Sequence, residues 1–329
     1  MDKRNMNIDR IKFIAILMVL LVHSSTDVFH NIRYLSTFKL LGLSVIHIMT
    51  SVAVPLFLMA SGYFLLREKK SYREIIMDKI LPLWIVFVIL LIFYHLIDYV
   101  QYGTFNVGDL LLESIFLKPQ IRTYLWYIPL IIGLYLLTPL LSELVQLIDI
   151  KTHKYFLIFV FVLSLQRNLN DFMQAMGWGM VSDSLKIPSD ELIYIAYFTF
   201  GYFYYKHKDK FKIPKYSWIV VSIIYLPIRM FLFKRGIAYD YASKPTTFIL
   251  AVLMFDYIYN LEFESDFIHH IGTNTLYIYL FHREISTWIA NLIGVRNNFV
   301  VVIMVFGLSF VVSYILTQLY LGMKSCLLD

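Results

Sequence analysis

Long apolar runs separated by short polar segments fill this sequence. Segments of about 17–25 apolar residues are long enough to cross a bilayer as helices. Ten stand out, near residues 11–28, 41–66, 80–100, 124–147, 153–166, 189–205, 216–233, 245–261, 271–293 and 299–322. The fifth and sixth are short. No internal repeat, low-complexity tract or soluble domain interrupts them. The pattern predicts an all-α, polytopic transmembrane bundle of about ten spans, a single domain over residues 1–329. Composition agrees. Hydrophobic residues make up 59% of the chain and charged residues 16%, against about 25% charged in soluble domains.

Charge then sets the expected orientation. An even number of spans puts both termini on one side. With that side cytoplasmic, the inner segments hold most of the Lys and Arg, Lys3 and Arg4 among them, as cytoplasmic loops do. The bias is strongest in two short loops, REKKSYREIIMDK (67–79) and KHKDKFKIPK (206–215). The inner loop 262–270, with Glu262, Glu264 and Asp266, runs against it. The net charge of +6 is therefore read as topology, and no nucleic-acid partner is expected. The longest outer loops fall at 101–123 and 167–188. The single cysteine, Cys326, excludes an intrachain disulfide and a Cys-based metal cluster. No small-x-small cleavage site follows the first apolar run, which ends in HSSTD, so an uncleaved first span is expected.

Lys12 and His23 bracket that first run, IKFIAILMVLLVH. Eleven residues at about 100° each is close to three turns, so both side chains share a helix face roughly 16 Å apart along the axis. Ionisable groups inside a membrane helix are costly and are functional candidates. A neutral imidazole can take a proton from a hydroxyl, and a buried cation can neutralise a phosphate. The residues alone leave a second reading open, in which Lys12 snorkels to the headgroups and His23 only packs. Asp27 follows His23 at i+4 and is a candidate to orient the imidazole.

Other segments carry weaker signals. Pro55 is expected to kink the second span, and Ser61-Gly62 to allow close helix approach. The basic loop 67–79 can grip an anionic ligand or face anionic lipid. Trp126 and Tyr127 open the fourth span, as an interfacial belt or as a platform for a sugar ring. His282, Arg283 and Glu284 sit at mid-depth in the ninth span, where Glu284 is a candidate partner for Arg283 and His282 a candidate cavity lining. The pair His269-His270 is read as a loop without the partners of a metal site. No metal is expected.

Taken in order, these motifs resemble the acyltransferase-3 family of bacterial membrane acyltransferases along nearly the whole chain. The opening Ile-Asp-x-x-Arg/Lys and its later His match Ile8-Asp9-Arg10-Ile11-Lys12 and His23. The second-span motif matches Pro55 to Tyr63, and Arg/Lys-Ile-x-Pro matches Lys79-Ile80-Leu81-Pro82. The Trp motif matches Leu125-Trp126-Tyr127, Tyr135-Leu136 and Pro139-Leu140. The late motif matches Gly272, Tyr279-Leu280 and His282.

The resemblance implies transfer of an acyl group, usually acetyl, from cytoplasmic acetyl-CoA to a hydroxyl of a surface or cell-wall glycan or lipid-linked sugar. The expected location is the bacterial cytoplasmic membrane. It implies His23 as the catalytic histidine and Lys12 as its paired cation. Lys12, Arg73, Lys79 and Ser61 are then candidates for holding CoA, and Trp126, Tyr127, Tyr279 and His282 for the acceptor. Two positions depart from the common pattern. Lys12 stands where many members have Arg, which loses bidentate phosphate geometry. The stretch IPLIIGLY lacks the Glu that many polysaccharide-modifying members carry, as in the short stand-alone surface-glycan subgroup. The rival reading is transport of a glycan or small polar molecule, amino-acid uptake included. A third is a non-catalytic partner in a biosynthetic complex.

Overall fold

The structure, a computed structural model, describes residues 5–179, 189–237, 242–263 and 265–328. Lys3, Arg4, Glu264 and part of the outer loop 167–188 fall outside them. The described residues contain no strand, and 82% of them are helical. It forms two compact units. One comprises Met1–Tyr63 and Ile150–Asp329, the other Phe64–Asp149.

Chain order begins in the first unit with α1 (Met6–Val28), α2 (Thr37–Thr50) and α3 (Ala53–Leu65). The second unit holds α4 (Tyr72–Ile75), a π-helical turn at Ile76–Ile80, α5 (Leu81–Tyr102), α6 (Val107–Ser114) and α7 (Tyr127–Leu147). The first unit resumes with α8 (Ile150–Met176), α9 (Ser189–His207), α10 (Ser217–Lys234), α11 (Pro245–Tyr259), α12 (Asp266–Thr273), α13 (Thr275–Ile293) and α14 (Phe299–Leu328).

Six stretches are long and apolar enough to cross a membrane: Met6–Val28, Thr37–Leu65, Tyr72–Tyr102, Thr123–Leu147, Ser217–Lys234 and Phe299–Gly322. The other four expected segments are helical without meeting that measure, each for a visible reason. In α8 the apolar stretch gives way to QRNLND. In α9, Asp190 and Glu191 stand at one end and Lys206 and His207 at the other. The 15 residues of α11 fall short of the roughly 20 that a span needs. The ninth segment is divided between α12 and α13, and in the 19 residues of α13 the polar run His282-Arg283-Glu284 lowers the apolarity.

Both breaks within expected spans have local causes. Pro55 has no N–H for the Ser51 carbonyl, so the ladder stops and restarts as α3. Ser51 and Thr50 hydroxyls turn back onto Ile48 and Ile46 carbonyls at 2.8 Å each. At the second break, Asn274 Nδ2 donates to the His270 carbonyl at 2.8 Å and Thr273 Oγ1 donates to it at 2.9 Å. The side chains supply partners that a continuing helix would have supplied.

Inside the first unit, α1 packs against α2, α11, α12, α13 and α14. A buried cluster of Val28, Phe29, Leu40, Leu43, Phe233, Ala290, Val302 and Val305 closes one end. Glycines set two close crossings. A Cβ on Gly62 would sit 1.7 Å from the Phe198 carbonyl oxygen, and one on Gly201 would sit 1.9 Å from that of Met59. Helices α3 and α9 therefore cross backbone to backbone, as Ser61-Gly62 led us to expect. A Cβ on Gly272 would come within 2.3 Å of the Asp9 carbonyl oxygen, so α12 lies equally close on α1.

These crossings predict a contrast measurable by thermal unfolding in detergent. Gly201→Val lowers the midpoint sharply or abolishes folded protein. Gly133→Ala, at a helical position where an added Cβ meets nothing within 4 Å, leaves it unchanged or raises it, since Ala is favoured over Gly in helices by about 0.5–1 kcal/mol.

Candidate functional site: a polar seam between α1 and α13

The start of α1 fixes its register. Asn5 caps the helix by accepting from Asn7 N–H at 3.0 Å. Arg10 is 1% exposed, and its guanidinium spans the end of α11. Its Nε donates to the Phe263 carbonyl at 2.8 Å, and Nη1 reaches the Ile258 and Tyr259 carbonyls at 3.4 Å each. The last carbonyls of a helix lack intrahelical donors, so a cation there satisfies both hydrogen bonding and the helix dipole. Asp9, also buried, lies 2.7 Å from His269 Nδ1 on α12. His270 meets Gln318 of α14. The two histidines expected in a loop are thus helical and tie α12 to its neighbours.

Three turns further on, α1 brings His23 against α13. The His23 and His282 rings lie 5.0 Å apart, tilted by 48°. His282 is fully buried. Its Nδ1 lies 2.5 Å from the Tyr279 carbonyl oxygen, one turn back on its own helix. The Tyr279 ring lies 5.5 Å from the His282 ring. The sequence-derived residues His23, Tyr279 and His282 are therefore one constellation. Arg283 and His47 lie within electrostatic reach of His23. His47 of α2 stands edge-on to Phe233 at 5.1 Å, and the Arg229 guanidinium lies 4.0 Å from the centroid of the same Phe233 ring.

Asp27 bolts the seam. Arg283 pairs with its Oδ1 and Ser286 Oγ donates to its Oδ2 at 2.7 Å. The carboxylate is 8% exposed and the guanidinium 23%, dry enough for the pair to matter. Arg283 thus bonds to Asp27 across helices; the expected partner was its neighbour Glu284. Arg296 extends the connection, donating to the Asp27 carbonyl at 3.1 Å, the Ala290 carbonyl at 3.2 Å and Asn291 Oδ1 at 2.8 Å.

The remaining predicted residues lie elsewhere. Lys12 is half-buried on α1, on the face it shares with His23. Ser61 is half-buried on α3. Arg73 and Lys79 are exposed in the second unit, where Ser71 and Glu74 form a capping box at the start of α4. Trp126 ends a short 3₁₀ turn, 41% exposed, with Tyr127 edge-on at 6.4 Å. The same unit buries a polar cluster that the sequence pattern did not reveal. His95 lies 3.5 Å from Glu113, whose Oε2 accepts from Ile121 N–H at 2.8 Å. Arg122 grips Asp98 at 2.8 and 3.2 Å, and Tyr124 donates to Tyr94 at 2.6 Å. Among the described residues no group of three His, Cys, Asp or Glu is placed to hold a metal ion.

A family model described as an acyltransferase domain matches residues 5–318. The chain belongs to the acyltransferase-3 family. Comparison with curated proteins and with solved structures gives no match. With six candidate spans, this acyltransferase is a multi-pass membrane protein, and its matched region contains the whole α1–α13 seam.

The bolt predicts a stability effect separable from chemistry. Asp27→Ala strands Arg283 and Ser286 and costs about 2–4 kcal/mol, read as a lower unfolding midpoint. The double variant Asp27→Ala/Arg283→Leu recovers part of that loss, because no unpaired cation is left in the seam.

Proposed function

We propose that this acyltransferase moves an acetyl group from cytoplasmic acetyl-CoA to a hydroxyl of a cell-surface or cell-wall glycan, with His23 as general base. The observation that carries the reading is the imidazole pair, half-buried His23 and buried His282, held at 5.0 Å across α1 and α13. Paired imidazoles in a dry seam suit proton transfer, and acyl transfer to a hydroxyl requires it.

In this scheme the thioester carbonyl sits beside His23. His23 takes the hydroxyl proton as the oxygen attacks that carbonyl. The new C–O ester bond forms, the C–S bond breaks and CoA leaves as a thiolate, and the proton on His23 passes to that thiolate, directly or through water, which restores the base. Lys12, on the same α1 face, is the cation on the donor side, with Ser61 a further donor-side candidate. Tyr279 and His282 face the acceptor. Family resemblance adds Arg73 and Lys79 as phosphate contacts and Trp126 and Tyr127 as acceptor contacts. The membrane topology of this proposal is about ten spans with both termini cytoplasmic, in a bacterial cell membrane. The four helical segments beyond the six apolar ones supply the additional crossings.

Purified protein with radiolabelled acetyl-CoA and a lipid-linked glycan extract tests it. The expected result is label transfer with CoA-thiol release by wild type. His23→Ala lowers the rate by about 10²–10⁴-fold while the unfolding midpoint holds. A folded His23→Ala variant with near-normal transfer contradicts the assignment of the base, and no thiol release by folded wild type contradicts acetyl-CoA as donor.

A further inference from the structure

A lone imidazole base has two nitrogens and two tautomers, and only one of them leaves the lone pair aimed at a given proton. Enzymes settle the choice with a partner for the second nitrogen. The sequence nominated Asp27, one turn from His23. In the structure both Asp27 carboxylate oxygens receive donors from α13, Oδ1 from Arg283 and Oδ2 from Ser286. The structure contains no hydrogen bond between Asp27 and His23, and the group it sets against the His23 ring is the His282 imidazole.

His282 has the required chemistry. Its Nδ1 lies 2.5 Å from the Tyr279 carbonyl oxygen. A carbonyl oxygen only accepts, so Nδ1 carries the proton, and in the neutral ring Nε2 is then an acceptor. The geometry that enforces this is backbone geometry, the i−3 carbonyl of α13, and is independent of any other side chain. The ring is fully buried and faces His23 at 5.0 Å between centroids. Its helix is bolted to α1 one residue away, through Arg283.

We propose that His282, anchored on the Tyr279 carbonyl, is the positioning residue that sets the tautomer of His23. The chain of polar groups runs from the Tyr279 carbonyl to Nδ1–H of His282. With acceptor bound, the chain extends by a hydrogen bond that the structure does not itself contain, from an N–H of His23 to Nε2 of His282, leaving the other His23 nitrogen to the acceptor hydroxyl. A neutral imidazole replaces the carboxylate usual in this place. That exchange avoids bringing a further charge beside Arg283 in a seam with little water. When His23 takes the hydroxyl proton, the N–H it shares with His282 becomes the better donor, so the hydrogen bond strengthens as positive charge develops.

This inference rests on His23 being the base, and the experiment separates the two. Three substitutions are compared in the labelled-acetyl-CoA assay alongside wild type and His23→Ala. The side chain of His282→Gln reaches the Nε2 position and can accept from His23. His282→Asn reaches only the position that bonds to the Tyr279 carbonyl. His282→Leu does neither. Expected are a kcat about 100-fold lower for Asn and Leu, recovery to within about tenfold for Gln, and an unchanged KM for acetyl-CoA. Nitrogen-15 spectra of histidine-labelled protein give a readout independent of turnover: one His23 tautomer in wild type and Gln, a mixture in Asn. Near-normal kcat in folded His282→Asn, with His23→Ala inactive, overturns this inference alone. An unchanged His23 spectrum in the Asn variant also overturns it. An active His23→Ala overturns the underlying base assignment.

Discussion

In a medium that solvates charge poorly, a carboxylate must take its partners with it, and Asp27 does so by drawing α13 onto α1. Arg283 and Ser286 close on its two oxygens and Arg296 on its main-chain carbonyl. Three groups, Arg283, Ser286 and Arg296, thereby meet one turn of α1, and the turn before it carries His23. The two imidazoles are brought to 5.0 Å by this fixed register. The apolar cluster around Phe233 and Val305 buries the same end, but apolar packing alone tolerates sliding. The directional bonds select one register.

The other end of α1 is pinned by the same logic with different residues. Arg10 satisfies carbonyls at the end of α11, and Asp9 meets His269. The glycine at 272 lets α12 approach the Asp9 backbone closely enough for that pair to form. The family motif that opens the chain thus divides its labour. Asp9 and Arg10 hold the helix, while Lys12 and His23 are left facing along it.

How much of this was legible in the sequence differs by element. The all-helical membrane architecture was, because apolar length is a one-dimensional property. The His23 and Lys12 face followed from helical phase, and the close approach at Gly62 from residue size. The partner of Arg283 was not legible. Phase excludes a shared face for His282, Arg283 and Glu284, but it does not say which neighbouring helix supplies the counter-charge. The breaks at Ser51 and Asn274 were only half visible. Pro55 marked the first as a kink, and the second needs Asn274 and Thr273 to satisfy the His270 carbonyl, which looks in sequence like ordinary polar decoration. The His95–Glu113 contact joins two separate helices and leaves no local periodic signal.

The central claim is that acyl transfer occurs in the α1–α13 seam. An acetyl-CoA analogue carrying a photoreactive diazirine in the acyl group tests this most directly, with labelled peptides located by mass spectrometry. The account predicts labelling on α1 around Val19 to Asp27 and on α13 around Tyr279 to Ser286, abolished by excess acetyl-CoA. Competable labelling confined to helices other than α1 and α13 would contradict it.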